Sequence, residues 1–151
     1  MFRQLEPLRE TEQTQLLLLR ENLKSLKKVC VAYSGGVDSS LVAAIAYEQL
    51  HSEAIAITGV SPALAPYLLN EARQQANWIG ITHQECETNE LEDASYSSNP
   101  QDRCFACKRE LHKHLRKIAI AKKDSQVIDG VNHDDLNDHR PGINAARQAG
   151  V

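Results

Sequence analysis

The segment at residues 29–40, VCVAYSGGVDSS, decides the fold of this chain. Its first half is apolar and partly β-branched, as is typical of a buried strand. The residues that follow it at 41–50, LVAAIAYEQL, have the composition of a helix. Ser34, Gly35 and Gly36 lie between the two. A buried strand that passes through two glycines into a helix predicts a strand–turn–helix unit.

This turn has the features of an anion-binding site. In an open parallel α/β sheet, ligands bind beyond the carboxyl ends of the strands. Two adjacent glycines can take positive φ and bring backbone N–H groups close to a ligand. The first N–H groups of the next helix lack intrahelical acceptors, and that helix end carries partial positive charge. Ser34, Ser39 and Ser40 add hydroxyl donors, so the sequence predicts that an anion binds here.

Other interpretations of the turn are weaker. It is not a Walker A loop, because it has no lysine, and it does not have the G-x-G-x-x-G spacing. A glycine turn without any ligand is the remaining alternative. The match to S-G-G-x-D-S directly after a buried strand favours the ligand site over that alternative.

The rest of the chain alternates between strand and helix patterns. Short, almost wholly apolar strands separated by helices are typical of a parallel sheet covered on both faces. The sequence therefore predicts an α/β fold with a Rossmann-like parallel sheet and helices on both of its faces. The predicted strands are 28–33, 53–58, 82–86 and 126–130, and the predicted helices are 37–50, 67–79 and 104–122.

The first 27 residues are predicted to form an amphipathic helix that packs on the sheet domain, which we expect to span residues 28–151. Leucines at positions 16, 19, 23 and 26 are spaced by three and four residues and form one apolar stripe. The stripe is too short to favour a dimerising zipper. The chain closes on AARQAGV in mid-pattern, so we expect the C-terminal part of the domain to be missing.

Composition limits the class of protein. The 151 residues suffice for one domain, and the net charge of −3 argues against a nucleic-acid partner. No apolar run approaches the ~20 residues that cross a bilayer, and the first residues have no signal-peptide pattern. The four cysteines are expected to be reduced thiols, so we predict a cytoplasmic protein. Homo-oligomer formation is left open.

The hexapeptide SGGVDS at residues 34–39 resembles the signature of the PP-loop ATP pyrophosphatases. That resemblance implies a PP-loop domain of the adenine nucleotide α-hydrolase type that binds ATP with Mg²⁺. It also implies attack of a substrate oxygen on the α-phosphorus, which gives pyrophosphate and an adenylated substrate. Asp38 is the implied Mg²⁺ contact, and Ala32 and Thr58 would flank the nucleoside. The implied phosphate-loop residues are Ser34, Gly35, Gly36, Val37, Asp38 and Ser39, with Ser40 next to them.

The segment VIDGVNHDDLNDHRPG at residues 127–142, together with RCFACK at 103–108, is similar to the LarE family of ATP-dependent sulfur transferases. The resemblance implies a pyridinium mononucleotide substrate whose carboxylate is adenylated and then exchanges oxygen for sulfur, in nickel-pincer cofactor synthesis. It implies that Gly130 contributes to the nucleotide site and makes Asp135 and Arg140 the candidate catalytic residues.

The charges of this loop alone leave two interpretations. Asp134, Asp135, Asp138 and Arg140 fall within seven positions after a predicted strand end. They suit an anion bound through the arginine and a cation or hydroxyl bound through the aspartates. A solvated polar turn with an Arg–Asp pair accounts for them equally well.

Cys104 and Cys107 are three residues apart at the start of a predicted helix, where positive charge favours the thiolate. Two cysteines cannot complete a zinc site, and the pair comes too late in the chain for a thioredoxin-like dithiol. The LarE resemblance implies that they are two of three ligands of a [4Fe–4S] cluster, the third lying beyond Val151. The sacrificial cysteine of other LarE members has no matching position here. Ordinary free thiols are the alternative.

Two alternative functions stay open. A tRNA thiolase also combines a PP-loop with a C-x-x-C pair, but the low positive charge and the DDLNDHRPG sequence at 134–142 count against it. The other alternative is a nucleotide-binding module without transferase activity, which the missing C-terminal region would explain.

Overall fold

A four-stranded parallel sheet forms the centre of the molecule. The computed structural model describes residues 4–88, 111, 113–120 and 125–131. Its strands run in the order β3-β2-β1-β4, and every neighbouring pair is parallel. The strands are β1 (Val29–Ala32), β2 (Ala54–Val60), β3 (Thr82–Glu87) and β4 (Gln126–Ile128). The α/β prediction with a Rossmann-like parallel sheet is confirmed.

Helices connect and cover these strands. The helices are α1 (Glu10–Leu26), α2 (Val37–Leu50) and α3 (Pro66–Ile79), and a single 3-10 turn (His51–Glu53) precedes β2. α3 begins with a proline in its first turn, a position that suits the fixed φ of that residue. Of the predicted helix at 104–122, the structure describes residues 111 and 113–120, which are helical.

The core lies on both faces of β1, whose residues are all buried. Val29 and Val31 face a cluster shared with α1, α2 and α3. Cys30 and Ala32 point to the opposite face and pack in a cluster that includes Leu115. Burial on both faces explains why the strand is continuously apolar rather than alternating.

α1 belongs to this packed body through its leucine stripe. Leu23 is buried with an exposed fraction of 4%, and Leu16 and Leu19 pack against the same cluster. Leu26 differs from the predicted stripe, because it ends the helix and is exposed. A half-buried pair, Arg20 Nε to Glu48 Oε2 at 3.1 Å, links α1 to α2.

The strand order places a topological switch point next to β1. The chain leaves β1 through α2 towards β2 on one side, whereas β4 pairs with the other side of β1. In open α/β sheets, ligands usually bind at the carboxyl ends of two adjacent strands whose following connections run in opposite directions. Residues 33–39 follow β1 and residues 129–131 follow β4 at this edge. In the ranges that the structure covers, no helix is both long and apolar enough to span a membrane.

Candidate functional site

The two glycines of the turn have different backbones. Gly35 has φ +83°, in the left-handed region that favours glycine. A Cβ atom at Gly35 would also lie 2.9 Å from Cα of Ala72 in α3. Gly36 instead caps α2 with φ −71°, so only the first glycine takes positive φ. Apart from adjoining residues, the described atom nearest to a Cβ at Gly36 is the Ser34 hydroxyl, at an ordinary 3.4 Å. Within the part of the chain that the structure describes, neither sterics nor backbone conformation therefore requires glycine at position 36.

Serine hydroxyls hold the shape of the turn. The Ser34 N–H donates to Ser39 Oγ at 3.2 Å, and the Gly36 N–H donates to Ser34 Oγ at 3.2 Å. The two hydroxyl oxygens are 3.1 Å apart, and Ser39 Oγ lies 3.3 Å from the carbonyl oxygen of Gly36. Ser40 turns away from the loop and donates to Oε1 of Gln75 at 2.8 Å. These hydroxyls organise the loop, and a direct contact with a ligand stays a prediction.

The first turn of α2 faces solvent at the carboxyl edge of the sheet. Val37 has an exposed fraction of 87%, and Asp38 is also exposed. The first intrahelical bond runs from the N–H of Ser40 to the carbonyl oxygen of Gly36. The N–H groups that precede Ser40 lie at the positive end of the helix dipole. A phosphate would meet backbone donors here, in the same helical turn as the carboxylate of Asp38.

Ala32 and Thr58, predicted to flank a nucleoside, lie at the ends of β1 and β2. Ala32 is buried and packs on the face that contains Leu115. Thr58 is 4% exposed, and its hydroxyl donates to the Tyr33 carbonyl oxygen at 2.7 Å. Since both side chains are covered, a nucleoside at these positions would meet mainly backbone atoms.

Gly130, at the end of β4, lies against the first turn of α2. A Cβ atom at this position would be 2.8 Å from the backbone nitrogen of Ser39 and 3.0 Å from the carbonyl carbon of Asp38. Real Cβ atoms do not approach backbone this closely, so glycine is needed for β4 and α2 to meet. The residues that follow β4 therefore begin directly beside the turn at residues 34–39.

His83 is the residue at this site that sequence reasoning missed. Its Nε2 atom lies 2.7 Å from Thr58 Oγ1, and its ring contacts the Tyr33 ring edge-on with centroids 5.5 Å apart. Burial lowers the pKa of His83, while Glu85 raises it and Arg73 lowers it to a smaller extent. The only signal in the sequence was a polar residue inside a weak strand pattern, which does not reveal a contact with β2.

The other predicted site residues lie outside the described part of the chain. They are Cys104, Cys107, Asp134, Asp135, Asp138 and Arg140, and their roles stay predictions. Among the residues that the structure describes, no group of three or more His, Cys, Asp or Glu could hold a metal ion. Of the two described cysteines, Cys30 is buried, and burial raises the pKa of the half-buried Cys86.

Comparison with known proteins identifies a family and several relatives of this chain. The family profile described as asparagine synthase matches residues 18–100. An uncharacterized protein of Synechocystis is 50% identical over 138 residues, which cover 91% of this chain and 52% of that protein. Pyridinium-3,5-bisthiocarboxylic acid mononucleotide synthase of Lactiplantibacillus plantarum is 32% identical over 130 residues, covering 85% of this chain and 47% of that enzyme. The chain thus spans about half the length of these curated relatives.

The fold has solved counterparts. The glutamine-dependent NAD⁺ synthetase of Acinetobacter baumannii, solved in complex with ADP, superposes with a TM-score of 0.70 at 17% identity. The match covers 90% of this chain and 28% of the synthetase chain. At this identity the likeness establishes the shared parallel α/β architecture.

Proposed function

The chain belongs to the asparagine synthase family within the PP-loop ATP pyrophosphatases, and on that premise we propose that residues 34–39 bind the triphosphate of Mg²⁺·ATP. The observation that carries this proposal is the exposed, preorganised turn between β1 and α2. Gly36 presents its backbone without a side chain, and neither its φ nor its packing against the described residues accounts for that glycine. Close approach of a bulky anion accounts for it.

The electrostatics of the turn suit a magnesium-bound triphosphate. Backbone N–H groups at the start of α2 favour negative charge, whereas the exposed carboxylate of Asp38 disfavours it. A divalent cation between the carboxylate and the phosphates removes that repulsion, since Mg²⁺ prefers oxygen ligands from both. We therefore propose that Asp38 contacts the Mg²⁺ that arrives with ATP.

The reaction proposed for the complete enzyme is adenylation of a carboxylate followed by sulfur transfer. A carboxylate oxygen attacks the α-phosphorus, the bond to the β-phosphate oxygen breaks, and pyrophosphate leaves. A carboxylate resists direct substitution because oxide or hydroxide would have to depart, and AMP is a far better leaving group. A sulfide-level nucleophile supplied by a sulfur donor then attacks the carboxyl carbon, the carbon–oxygen bond to AMP breaks, and a thiocarboxylate remains. Fixed N–H donors at the turn would stabilise the charge that grows on the departing pyrophosphate.

The proposed substrate is a pyridinium mononucleotide with a carboxylate. Support comes from the 32% identity to pyridinium-3,5-bisthiocarboxylic acid mononucleotide synthase, whose name describes a thiocarboxylate product. Arg140 is proposed to bind an anionic group of this substrate, and Asp135 to act beside it. Cys104 and Cys107 are proposed ligands of a [4Fe–4S] cluster in the intact protein, and the steps given above do not depend on that cluster.

Titration calorimetry with Mg²⁺·ATP tests the binding step. We expect the wild-type protein to bind ATP, and G36A to bind at least roughly tenfold more weakly, which corresponds to ~1.4 kcal/mol. G36A is the informative variant because its new Cβ meets only an ordinary 3.4 Å contact within the described residues. Equal affinity of the two proteins would contradict the proposed triphosphate site.

Pyrophosphate release tests the substrate. We expect release from ATP in the presence of pyridinium-3,5-dicarboxylate mononucleotide and none in the presence of tRNA. Release with tRNA would instead support a thiolase. ATP binding without release in either reaction would support a nucleotide-binding module.

A further inference from the structure

The peptide that joins Tyr33 to Ser34 is held by two side-chain hydroxyls. Its carbonyl oxygen accepts from Thr58 Oγ1 at 2.7 Å, and its N–H donates to Ser39 Oγ at 3.2 Å. This peptide lies between the last strand contact of β1, where the Tyr33 N–H bonds to Ile57, and the left-handed Gly35. The orientation of the Tyr33–Ser34 peptide therefore sets the direction in which the loop at residues 34–39 leaves the sheet.

The direction of the hydrogen bonds around Thr58 follows from simple counting. The Thr58 hydroxyl carries one hydrogen, and the Tyr33 carbonyl oxygen can only accept. With the hydroxyl hydrogen on the bond to Tyr33, the 2.7 Å contact with His83 Nε2 is satisfied when the ring donates, and we assign the hydrogens in this way. If Nε2 carried no hydrogen, the Thr58 hydroxyl would turn to the ring and the Tyr33 carbonyl would lose its donor.

The surroundings of His83 keep this arrangement uncharged at neutral pH. Burial lowers the pKa of the ring, and the nearby charges of Glu85 and Arg73 act in opposite directions. Those two side chains also bind each other, with Arg73 Nη2 to Glu85 Oε1 at 2.6 Å. The Tyr33 ring meets the His83 ring at an interplanar angle of 82°. A neutral ring with its hydrogen on Nε2 satisfies Thr58 without placing a charge beside it.

We propose that His83 is a positioning residue for the nucleotide loop, acting through Thr58 on the Tyr33–Ser34 peptide. The inference rests on the proposed function, because the property that His83 sets is the affinity of the loop for Mg²⁺·ATP. His83 lies in β3, two strands away from the loop, and influences ATP through the chain from Nε2 to Thr58 to the Tyr33 carbonyl.

The test compares variants that keep or remove each donor. T58V has the shape of threonine without the hydroxyl, and T58S keeps the hydroxyl. H83F keeps a ring against Tyr33 without the Nε2 donor, and H83Q keeps a donor without the ring. We expect T58V and H83F to raise the Kd for Mg²⁺·ATP roughly 3- to 10-fold, the contribution of one hydrogen bond, and T58S and H83Q to stay near wild type.

A second histidine supplies the matched control. His51 also makes an edge-on ring contact with a tyrosine, Tyr47, at 6.0 Å and 80°. It lies in the turn before β2, at the opposite end of the sheet from the loop. We expect H51F to bind ATP like wild type. Thermal unfolding of every variant shows whether the fold is kept.

A spectroscopic readout is independent of ATP. Long-range proton–nitrogen correlation spectra of the histidine rings report which nitrogen carries the hydrogen, and we expect Nε2–H for His83. An unprotonated Nε2 would overturn the proposal. Wild-type affinity for ATP in T58V and H83F would also overturn the proposal, and so would an H83Q protein that binds ATP as weakly as H83F. Each of these results would leave the proposed ATP site intact. Absence of ATP binding in the wild-type protein would overturn both this proposal and the proposed function.

Discussion

Gly35 and Ala72 touch backbone to backbone. A Cβ atom on Gly35 would lie 2.9 Å from the Ala72 Cα and 3.0 Å from its Cβ. The turn after β1 therefore packs directly against the middle of α3. The Tyr33 hydroxyl strengthens the same junction by donating to the Ala72 carbonyl oxygen at 3.3 Å. The loop proposed to hold ATP is therefore fixed by Ala72, a residue of α3 that lies more than thirty positions later in the chain.

G35A is expected to destabilise the protein. The alanine would have to keep φ near +83° and displace the backbone of α3, which together cost roughly 2–4 kcal/mol. Urea unfolding followed by circular dichroism measures the change. The neighbouring G36A is the control, because its φ of −71° suits alanine, and we expect it to lose less than about 1 kcal/mol. Equal losses in the two variants would show that the turn is not fixed by α3.

G130A is expected to weaken both stability and ATP binding. Its Cβ would meet the Ser39 backbone nitrogen at 2.8 Å, so the first turn of α2 would have to shift. We expect a loss of roughly 1–3 kcal/mol in the free energy of unfolding. G59A is the matched control, because the Cβ there would meet the flexible end of Leu111, also at 2.8 Å. A lower ATP affinity in G130A but not in G59A would support the contact between the end of β4 and α2. A lower ATP affinity in G59A but not in G130A would contradict it.

The packing of α1 can be tested with two leucines of the same helix. Leu23 is buried, and L23A should cost roughly 2–5 kcal/mol because it leaves a cavity against the sheet. Leu18 is 53% exposed, so L18A should change the free energy of unfolding by less than about 0.5 kcal/mol. Denaturant titrations compare them. Similar small effects for both variants would mean that α1 does not share the core of the sheet.

His83 should make the stability of the protein depend on pH. Its pKa is lower in the folded protein than the ordinary value of 6.5, so the unfolded chain takes up the proton first as pH falls. The stability associated with the neutral ring is fully present above pH 6.5 and is lost as pH falls from there towards the folded pKa. The free energy of unfolding, measured from pH 7.5 downwards, should therefore fall more steeply for wild type than for H83Q. Parallel curves would show that His83 does not contribute.

The fold was largely predictable because it depends on local patterns. Apolar runs at β1, β2 and β4, separated by helical periodicity, are enough to predict parallel strands with covered faces. Leu23 followed from the spacing of the leucine stripe. Leu26 did not, because the stripe continues to the last residue of α1, where the helix no longer lies over the core.

The site was predictable only in part, because its details depend on residues that are distant in the chain. The motif locates the turn, but the difference between Gly35 and Gly36 depends on where Ala72 of α3 lies. The role of His83 depends on the pairing of β3 with β2, since Thr58 is opposite Glu85 and the histidine is its diagonal neighbour. A sequence pattern does not encode that register when the strand is as polar as β3.

The junction of Gly35 with α3 also limits how the protein can be re-engineered. Mutations aimed at the proposed nucleotide site must leave the side chain at position 72 no larger than alanine. A bulkier side chain there would displace the loop at residues 34–39. Libraries aimed at new specificity should therefore keep the middle of α3 unchanged, together with Asp38, the proposed magnesium contact.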